Sequence, residues 1–313
     1  MKVFVTRRIP EEGIEKLKQH LEVKLSPYDR QLSQDEVIEL AHGCEAVATM
    51  LTNRVDERFL DALPEVRIVA NFAVGYDNID LEAARKRGIV VTNTPGVLTE
   101  STADIAMTLI LCVARRVIEA DRIVRQGEFK GMHPLYFLGT SIQEKTLGIF
   151  GMGRIGQALA RRAISFGMTV VYHNRHAVPD FKEGRYVSME ELLSSSDFLS
   201  INAPLSDETR GRFGTREFQA MKPSAYLVNT ARGPLVKENE LAMALQKRLI
   251  AGAGLDVYED EPRVHPALVH MDNVVLLPHI GSATKEVRAR MAEMVADNVI
   301  SFSRGENPPN RVV

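Results

Sequence analysis

Three side chains in the last third of the sequence could together reduce a carbonyl group. Arg232, Glu261 and His279 stand in the segments NTARGPLV, GLDVYEDEP and LPHIGSAT. An arginine presents a planar fork of N–H donors that suits a carboxylate and a carbonyl oxygen, and its value grows as charge builds on that oxygen. A histidine titrates near neutral pH and can donate a proton, and a carboxylate on its other ring nitrogen favours the imidazolium. The set fits reduction of a 2-keto acid, in which hydride reaches carbon and a proton reaches oxygen.

A glycine-rich turn indicates the source of the hydride. The run LGIF is followed by Gly151-x-Gly153-x-x-Gly156 and then by a helical pattern. The first glycine permits a tight turn, the second lets backbone approach a pyrophosphate, and the third lets the helix pack on the sheet. The helix N-terminus then offers N–H groups to phosphates. We expect the turn to contact a dinucleotide through Gly151, Met152, Gly153, Arg154, Ile155 and Gly156.

Asn174-Arg175-His176 stands at the end of the next predicted strand (169–174) and bears on the choice of dinucleotide. NAD-binding units usually place an acid here for the ribose 2′-OH. This chain has no acid before Asp180, and Arg175 could pair with a 2′-phosphate. The segment therefore favours NADPH, with NADH possible. The alternative is that Arg175 is an ordinary solvated arginine.

Short apolar runs alternate with helical patterns along the whole chain, which predicts an α/β fold. Continuous hydrophobic strands between helices are typical of parallel sheets covered on both faces. We expect two doubly wound parallel sheets and a long helix over 99–124. The predicted strands are 2–6, 45–51, 66–74, 88–94, 147–151, 169–174, 198–203, 225–230, 251–258 and 274–279.

The chain resembles the D-isomer-specific 2-hydroxyacid dehydrogenase family. The resemblance rests on the three segments that open this section, the glycine turn and ANFAVGYDNIDL (71–82), in matching order and spacing over essentially the whole chain. It implies a Rossmann dinucleotide-binding domain over 99–284. It also implies a smaller flavodoxin-like substrate domain built discontinuously from 1–98 and 285–313.

The resemblance also implies roles for individual residues. Arg232 would bind the substrate, His279 would donate the proton, and Glu261 would hold the histidine. Glu261 is preferred to Glu259 because the family's acid directly precedes the proline, here Pro262. The backbone amides of Val74 and Gly75 would cradle the substrate carboxylate, and Leu51 would line its pocket unless it is simply a core leucine. Further cofactor contacts are expected from Thr102, Pro204, Thr230, Ala231, Asp256 and Gly281.

Two of these expectations are more specific. Asp256 would bind the nicotinamide carboxamide, and Pro204 would lie on the adenosine side. Many family members carry histidine where this chain has Asn202, so this chain departs from the family's pattern near the adenosine.

The resemblance extends to the glyoxylate/hydroxypyruvate reductase branch. The Asn174-Arg175-His176 signal favours this branch, and so does the end of the chain at Val313, since phosphoglycerate dehydrogenases often carry an added regulatory domain. The alternatives are a D-lactate-type or broad D-2-hydroxyacid dehydrogenase, because one methylene in an apolar pocket is worth only ~1–3 kcal/mol. A further alternative is a dinucleotide-sensing, corepressor-like binding protein.

Composition excludes several other classes. The 313 residues carry a formal charge of −2 and no long basic run, so we expect no nucleic-acid partner. Two distant cysteines suggest neither a disulfide framework nor a metal site, which favours the cytoplasm. The apolar stretch 105–114 is too short to span a membrane. The family's usual state is a homodimer, and the apolar residues of 128–142 fit an interface (Met132, Leu135, Tyr136, Phe137 and Leu138).

Overall fold

The computed structural model describes residues 1–179 and 181–313. These residues form two compact units. The first comprises Met1–Leu98 and Ser282–Val313, and the second comprises Thr99–Gly281. The sequence placed the second crossing at 284/285, whereas the structure places it at Gly281/Ser282.

The first unit is built on a five-stranded parallel sheet with the order β2-β1-β3-β4-β5, which is the flavodoxin-like order. The predicted four strands omit β2, whose sequence EVKL has two charged residues in four and lies at the sheet edge. The strands are β1 (Lys2–Val5), β2 (Glu22–Leu25), β3 (Ala46–Thr49), β4 (Ile68–Asn71) and β5 (Val90–Thr92). The helices are α1 (Glu11–Lys18), α2 (Gln34–Ala41), α3 (Glu57–Ala62), α4 (Leu81–Lys86) and α12 (Lys285–Ser303).

Alternation along the strands gives this sheet two buried faces. In β1, Val3 and Val5 belong to the core under α1 and α12, while Phe4 belongs to the core under α2, α3 and α4. Successive side chains of a strand point to opposite faces. A strand buried on both faces is therefore mostly apolar, which is why these runs could be recognised in the sequence.

The second unit is built on a seven-stranded parallel sheet with the order β12-β11-β10-β9-β6-β7-β8. Six of these strands reproduce the Rossmann order 3-2-1-4-5-6, and β12 adds an edge strand. The strands are β6 (Thr146–Phe150), β7 (Thr169–His173), β8 (Arg185–Tyr186), β9 (Phe198–Ile201), β10 (Tyr226–Asn229), β11 (Gly252–Leu255) and β12 (Val274–Leu276). The predicted fold class is confirmed, although the two-residue β8 was not predicted.

The helices of the second unit cover both faces of that sheet. They are α5 (Thr99–Arg115), α6 (Val117–Arg125), α7 (Arg154–Ser165), α8 (Met189–Ser195), α9 (Thr215–Ala220), α10 (Glu238–Gln246) and α11 (Pro266–Val269). The single helix predicted over 99–124 is wrong, because Arg116 adopts a left-handed backbone (φ 55°) that separates α5 from α6. None of the residues of α6 is buried, so the described part of this unit leaves α6 at least partly open to solvent.

The predicted strands overran the observed ones at their carboxyl ends. The run 251–258 gives a strand only over Gly252–Leu255, and 274–279 only over Val274–Leu276. Just past the strands, Asp256 and Leu277 still donate their N–H groups to the neighbouring strands at Asn229 and Leu255, but the regular strand pairing ends. Asp256 and His279 lie in these extensions, at the edge where ligands of open α/β sheets bind.

Candidate active site

A histidine and a glutamate meet at the carboxyl edge of the seven-stranded sheet. The Nδ1 atom of His279 lies 2.9 Å from Oε2 of Glu261. The other carboxylate oxygen accepts the backbone N–H of Tyr258 at 3.1 Å. An ionised carboxylate can only accept, so Nδ1 carries the proton in this bond. The arrangement leaves Nε2 of His279 as the ring nitrogen that can exchange a proton with a ligand.

The charge state of Glu261 follows from its neighbours. Burial disfavours the charged carboxylate, but several interactions outweigh it. The hydrogen bond and charge of His279, the N–H of Tyr258 and the charge of Arg232 together hold the pKa of Glu261 below its usual value. The carboxylate is therefore ionised at neutral pH.

Tyr258 connects the two members of this dyad. Its backbone N–H binds Glu261, while its hydroxyl donates to the carbonyl oxygen of Leu277 at 2.8 Å. Leu277 precedes His279 by two residues, so one buried tyrosine holds both Glu261 and the segment that carries His279. Burial raises the pKa of the Tyr258 hydroxyl, which keeps it a donor.

The turn after His279 is fixed by Asp256. His279 has a left-handed backbone (φ 55°), a conformation that costs of order 1–3 kcal/mol in a residue other than glycine. The Asp256 carboxylate, 1% exposed, accepts the N–H groups of Ile280 (2.7 Å) and Gly281 (2.8 Å). Burial raises the pKa of Asp256 although these N–H groups favour its charged form. The Thr102 hydroxyl donates to the carbonyl of Gly281 at 3.3 Å.

Arg232 begins a short 3₁₀ turn, Gly233–Leu235. The Asn229 side chain donates to the Arg232 carbonyl at 2.9 Å, and the guanidinium donates to the Ala231 carbonyl at 2.8 Å. A Cβ on Gly233 would overlap the backbone of Tyr258. The absence of a side chain at Gly233 therefore brings the Arg232 turn directly against the segment that leads to Glu261.

Two further glutamates clamp the loop that carries Glu261. The Glu238 carboxylate accepts the N–H groups of Glu259 (2.9 Å) and His265 (3.2 Å), and Glu259 in turn accepts the N–H of Glu238 (2.9 Å). Glu238 is buried, and burial together with the charge of Glu259 raises its pKa against the pull of these N–H groups. The loop is therefore held on both sides of Glu261.

The sequence analysis did not identify Tyr258 or Glu238. Tyr258 stands within the segment GLDVYEDEP, and Glu238 opens the helix after the Arg232 turn. Their roles depend on hydrogen bonds to backbone groups that the fold brings together. Such bonds cannot be inferred from the spacing of residues in the sequence.

The glycine turn lies where the strand order reverses, between β6 and β9. Gly151 has φ 101°, and a Cβ there would come within 2.5 Å of the Ala203 nitrogen. No atom of the described residues lies within 4 Å of a Cβ built on Gly153. Gly153 caps α7 without a side-chain hydrogen bond, and the first turn of that helix contains Arg154, Ile155 and the buried Gly156. The open space and uncapped N–H groups fit a pyrophosphate.

Two buried oxygens at the same edge have no hydrogen-bond partner among residues 1–179 and 181–313. They are Oδ1 of Asn202, just after β9, and Oγ1 of Thr230, just after β10. Buried polar atoms are normally hydrogen-bonded, so two such oxygens without a partner, at a sheet edge next to a glycine turn, are suited to a polar ligand. These observations agree with a bound dinucleotide.

The residues after β7 have two different environments: Asn174 contacts the glycine turn, and Arg175 lies on the surface. The Asn174 side chain accepts the N–H of Met152 at 2.7 Å, so it holds the glycine turn. The Arg175 side chain is 83% exposed and 3.9 Å from Glu208, which makes a weak, solvated pair. Two other predicted contacts are exposed: His176 and Pro204.

The candidate substrate residues of the first unit follow β3 and β4. Leu51 is half-buried in the loop after β3. Val74 and Gly75, also half-buried, belong to the loop after β4. The structure therefore exposes part of each residue at the carboxyl edge of the five-stranded sheet.

Comparison with known proteins decides the family. Residues 107–281 match the model for the D-isomer specific 2-hydroxyacid dehydrogenase NAD-binding domain. The chain belongs to this family. It is therefore an NAD(P)-dependent oxidoreductase of 2-hydroxy and 2-keto acids. Across residues 1–179 and 181–313, no helix is long and apolar enough to cross a membrane, and no three or more His, Cys, Asp or Glu side chains form a metal-binding group.

Several relatives are similar over nearly their whole length. The glyoxylate reductase of Thermococcus litoralis is 51% identical over 99% of this chain and 96% of its own. A Thermus thermophilus structure has a TM-score of 0.94 and 42% identity, with 100% of both chains covered. The NADPH-dependent glyoxylate/hydroxypyruvate reductase of Sinorhizobium meliloti, solved with NADP and malonate, has a TM-score of 0.89 and 35% identity, covering 100% of this chain and 96% of its own.

Proposed function

We propose that this chain reduces glyoxylate to glycolate and hydroxypyruvate to D-glycerate, with NADPH as the preferred cofactor. The observation that carries the proposal is the 2.9 Å bond between His279 and an ionised Glu261, which leaves Nε2 of the histidine able to donate a proton. The similarity to glyoxylate reductases supports the choice of substrate, and the S. meliloti enzyme's use of NADPH supports the choice of cofactor.

Each residue has a definite task in this reaction. The amides of Val74 and Gly75 bind the substrate carboxylate, and Arg232 binds carboxylate and carbonyl oxygen. His279 donates its Nε2 proton to that oxygen as negative charge develops there, and Glu261 stabilises the charged ring beforehand. When bound, the dinucleotide supplies the hydride.

Initial rates test the proposed function. The purified protein is given glyoxylate, hydroxypyruvate or pyruvate, each with NADPH and with NADH. We expect turnover on the first two substrates, with kcat/KM at least about tenfold higher for NADPH. A higher kcat/KM on pyruvate would instead indicate the D-lactate-type alternative. Tight dinucleotide binding without turnover on any small keto acid would indicate the dinucleotide-sensing binding protein.

The cofactor preference is assigned to Arg175. Its high exposure leaves the guanidinium able to reach a 2′-phosphate, and the charge-assisted bond is worth about 1.5–3 kcal/mol. Arg175→Ala should raise the KM for NADPH by about tenfold or more and leave NADH nearly unaffected. Arg161→Ala, at another exposed arginine, serves as the control. Equal losses with both cofactors would remove Arg175 from this role.

We also propose a homodimer. The residues of α6 and of the loop 128–142 expose large apolar side chains: Ile118 (51%), Val124 (61%), Met132 (88%), Leu135 (74%) and Leu138 (61%). This concentration of exposed apolar side chains in one stretch of the chain supports an interaction site there. Sedimentation should give twice the chain mass at micromolar concentration, and a monomer there would contradict the dimer.

A further inference from the structure

Three consecutive carbonyl groups in the loop after β4 are turned toward the inside of the first unit. The Ala73 carbonyl accepts the backbone N–H of Thr94 at 2.9 Å. The Val74 carbonyl accepts the side-chain amide of Asn93 at 2.8 Å. Asn93 is 8% exposed, so this bond is shielded from water.

The third carbonyl is held by a second buried amide. The Nδ2 atom of Asn71 donates to the Gly75 carbonyl at 2.9 Å. Asn71 is fully buried, and its oxygen accepts the Thr49 hydroxyl at 3.0 Å. That second bond fixes which end of the Asn71 amide faces Gly75.

The orientation of these carbonyls determines the direction of three N–H groups. In a trans peptide the C=O and N–H of one unit point in opposite directions. The N–H groups of Val74, Gly75 and Tyr76 are therefore turned away from the interior. Within the described part of the chain, none of the three donates a hydrogen bond to a protein acceptor. Successive unpaired N–H groups form a concavity suited to an anion.

We infer that Asn71 and Asn93 are positioning residues that hold this amide cradle open for the substrate carboxylate, and that Tyr76 supplies it with a third N–H. The inference rests on the proposed function, which places the carboxylate of a 2-keto acid on Val74 and Gly75. The side chains of Asn71 and Asn93 act only through the backbone they hold. They determine how well the carboxylate binds and leave hydride and proton transfer to other residues.

Aspartate is the matched substitution at both positions. It keeps the shape of the side chain but replaces the donating NH₂ by an oxygen that faces a carbonyl oxygen. The repulsion should rotate the peptide and remove an N–H from the cradle. Asn71→Asp and Asn93→Asp should each raise the KM for glyoxylate roughly tenfold or more, because a hydrogen bond to a charged group is lost. The kcat should change far less, since ground and transition states use the same carboxylate contact.

The experiment compares these variants with Asn273→Asp. Asn273 likewise donates its amide to a backbone carbonyl, that of Ala251 at 2.9 Å, but lies in the second unit beside β11 and β12. Steady-state kinetics on glyoxylate are measured together with the Kd of oxalate, a carboxylate probe, by calorimetry in the presence of NADP⁺. The Kd of NADPH should be unchanged in all variants. Asn93→Ala, which removes the donor without adding repulsion, should show a smaller rise in KM and replaces any aspartate variant that does not fold.

The outcomes separate the inference from the proposed function. Weaker oxalate binding and higher KM in the Asn71 and Asn93 variants, with Asn273→Asp like wild type, would support the inference. Values within about twofold of wild type, or equal losses in kcat, KM and NADPH binding, would overturn it. A wild-type protein that binds oxalate without reducing glyoxylate would overturn the proposed function, while oxalate affinity would still decide the inference. A wild type that does neither would overturn both.

Discussion

Replacing Glu261 by glutamine should move the pH dependence of reduction to lower pH. In the structure one carboxylate oxygen accepts Nδ1–H of His279 and the other accepts the N–H of Tyr258. A glutamine can keep only one acceptor. If its oxygen stays with Tyr258, its NH₂ faces Nδ1 and favours the neutral ring. If it reverses, two donors face each other at Tyr258. Both orientations lose the negative charge beside the imidazolium.

The size of the shift follows from the lost bond. A hydrogen bond to a charged group contributes about 1.5–3 kcal/mol, and one pH unit corresponds to about 1.36 kcal/mol. The lost hydrogen bond therefore corresponds to a shift of about 1–2 pH units. The side chains of His279 and Glu261 are 33% and 30% exposed, so water screens the pair and the lower end applies. The basic limb of the kcat profile should therefore move down by about one unit.

The direction of the pH shift and the pH range in which it can be measured follow from the charge of Glu261. The pKa of Glu261 lies below its usual value. Its carboxylate is therefore ionised at neutral pH and loses its negative charge only when the pH falls through that lowered pKa. The wild-type and variant kcat profiles for glyoxylate are compared between about pH 5 and 9. Asp260→Asn removes a charge from the adjacent residue, which pairs with Arg263, and should leave the profile in place. Superimposable profiles for wild type and Glu261→Gln would refute the role of Glu261.

Three other variants test the same region. His279→Ala should lower kcat roughly 10²–10⁴-fold while the Kd of NADPH, measured by fluorescence, stays constant; retained turnover would exclude His279 as proton donor. Tyr258→Phe should reduce the free energy of unfolding by about 1–3 kcal/mol in urea because the buried Leu277 carbonyl loses its donor, and an unchanged midpoint would contradict that bond's importance. Gly233→Ala should lower the melting temperature and kcat together, because its Cβ overlaps the Tyr258 backbone; a wild-type melting curve would show that the loop can yield.

Much of the fold was predictable because its strands are buried on both faces. Runs such as β1 (KVFV) and β9 (FLSI) are apolar at three of their four positions, and the chain alternates them with helices. The misses have physical reasons. The edge strand β2 is half charged, and β8 has only two residues. The break at Arg116 depends on the left-handed backbone of that one residue, and no glycine in the sequence indicates it.

The residues of the candidate site could be predicted where they belong to a sequence motif. They could not be predicted where their role depends on hydrogen bonds to backbone groups. The sequence brought Glu261 and His279 together through their family motifs, and the structure places them in contact. The sequence also assigned Asp256 to the cofactor, whereas in the structure its carboxylate binds the N–H groups of Ile280 and Gly281. A role toward the nicotinamide stays a prediction. The amides of Asn71 and Asn93 could not be found from spacing, because their partners are carbonyl groups.

Isotope transfer tests the central claim most directly. The wild-type protein reduces glyoxylate in ordinary water with NADPH that carries deuterium at C4, in separate experiments with each C4 stereoisomer. One of the two should give glycolate with a single deuterium on C2, as direct hydride transfer to the keto carbon requires. Unlabelled glycolate from both stereoisomers, or no glycolate at all, would contradict the account.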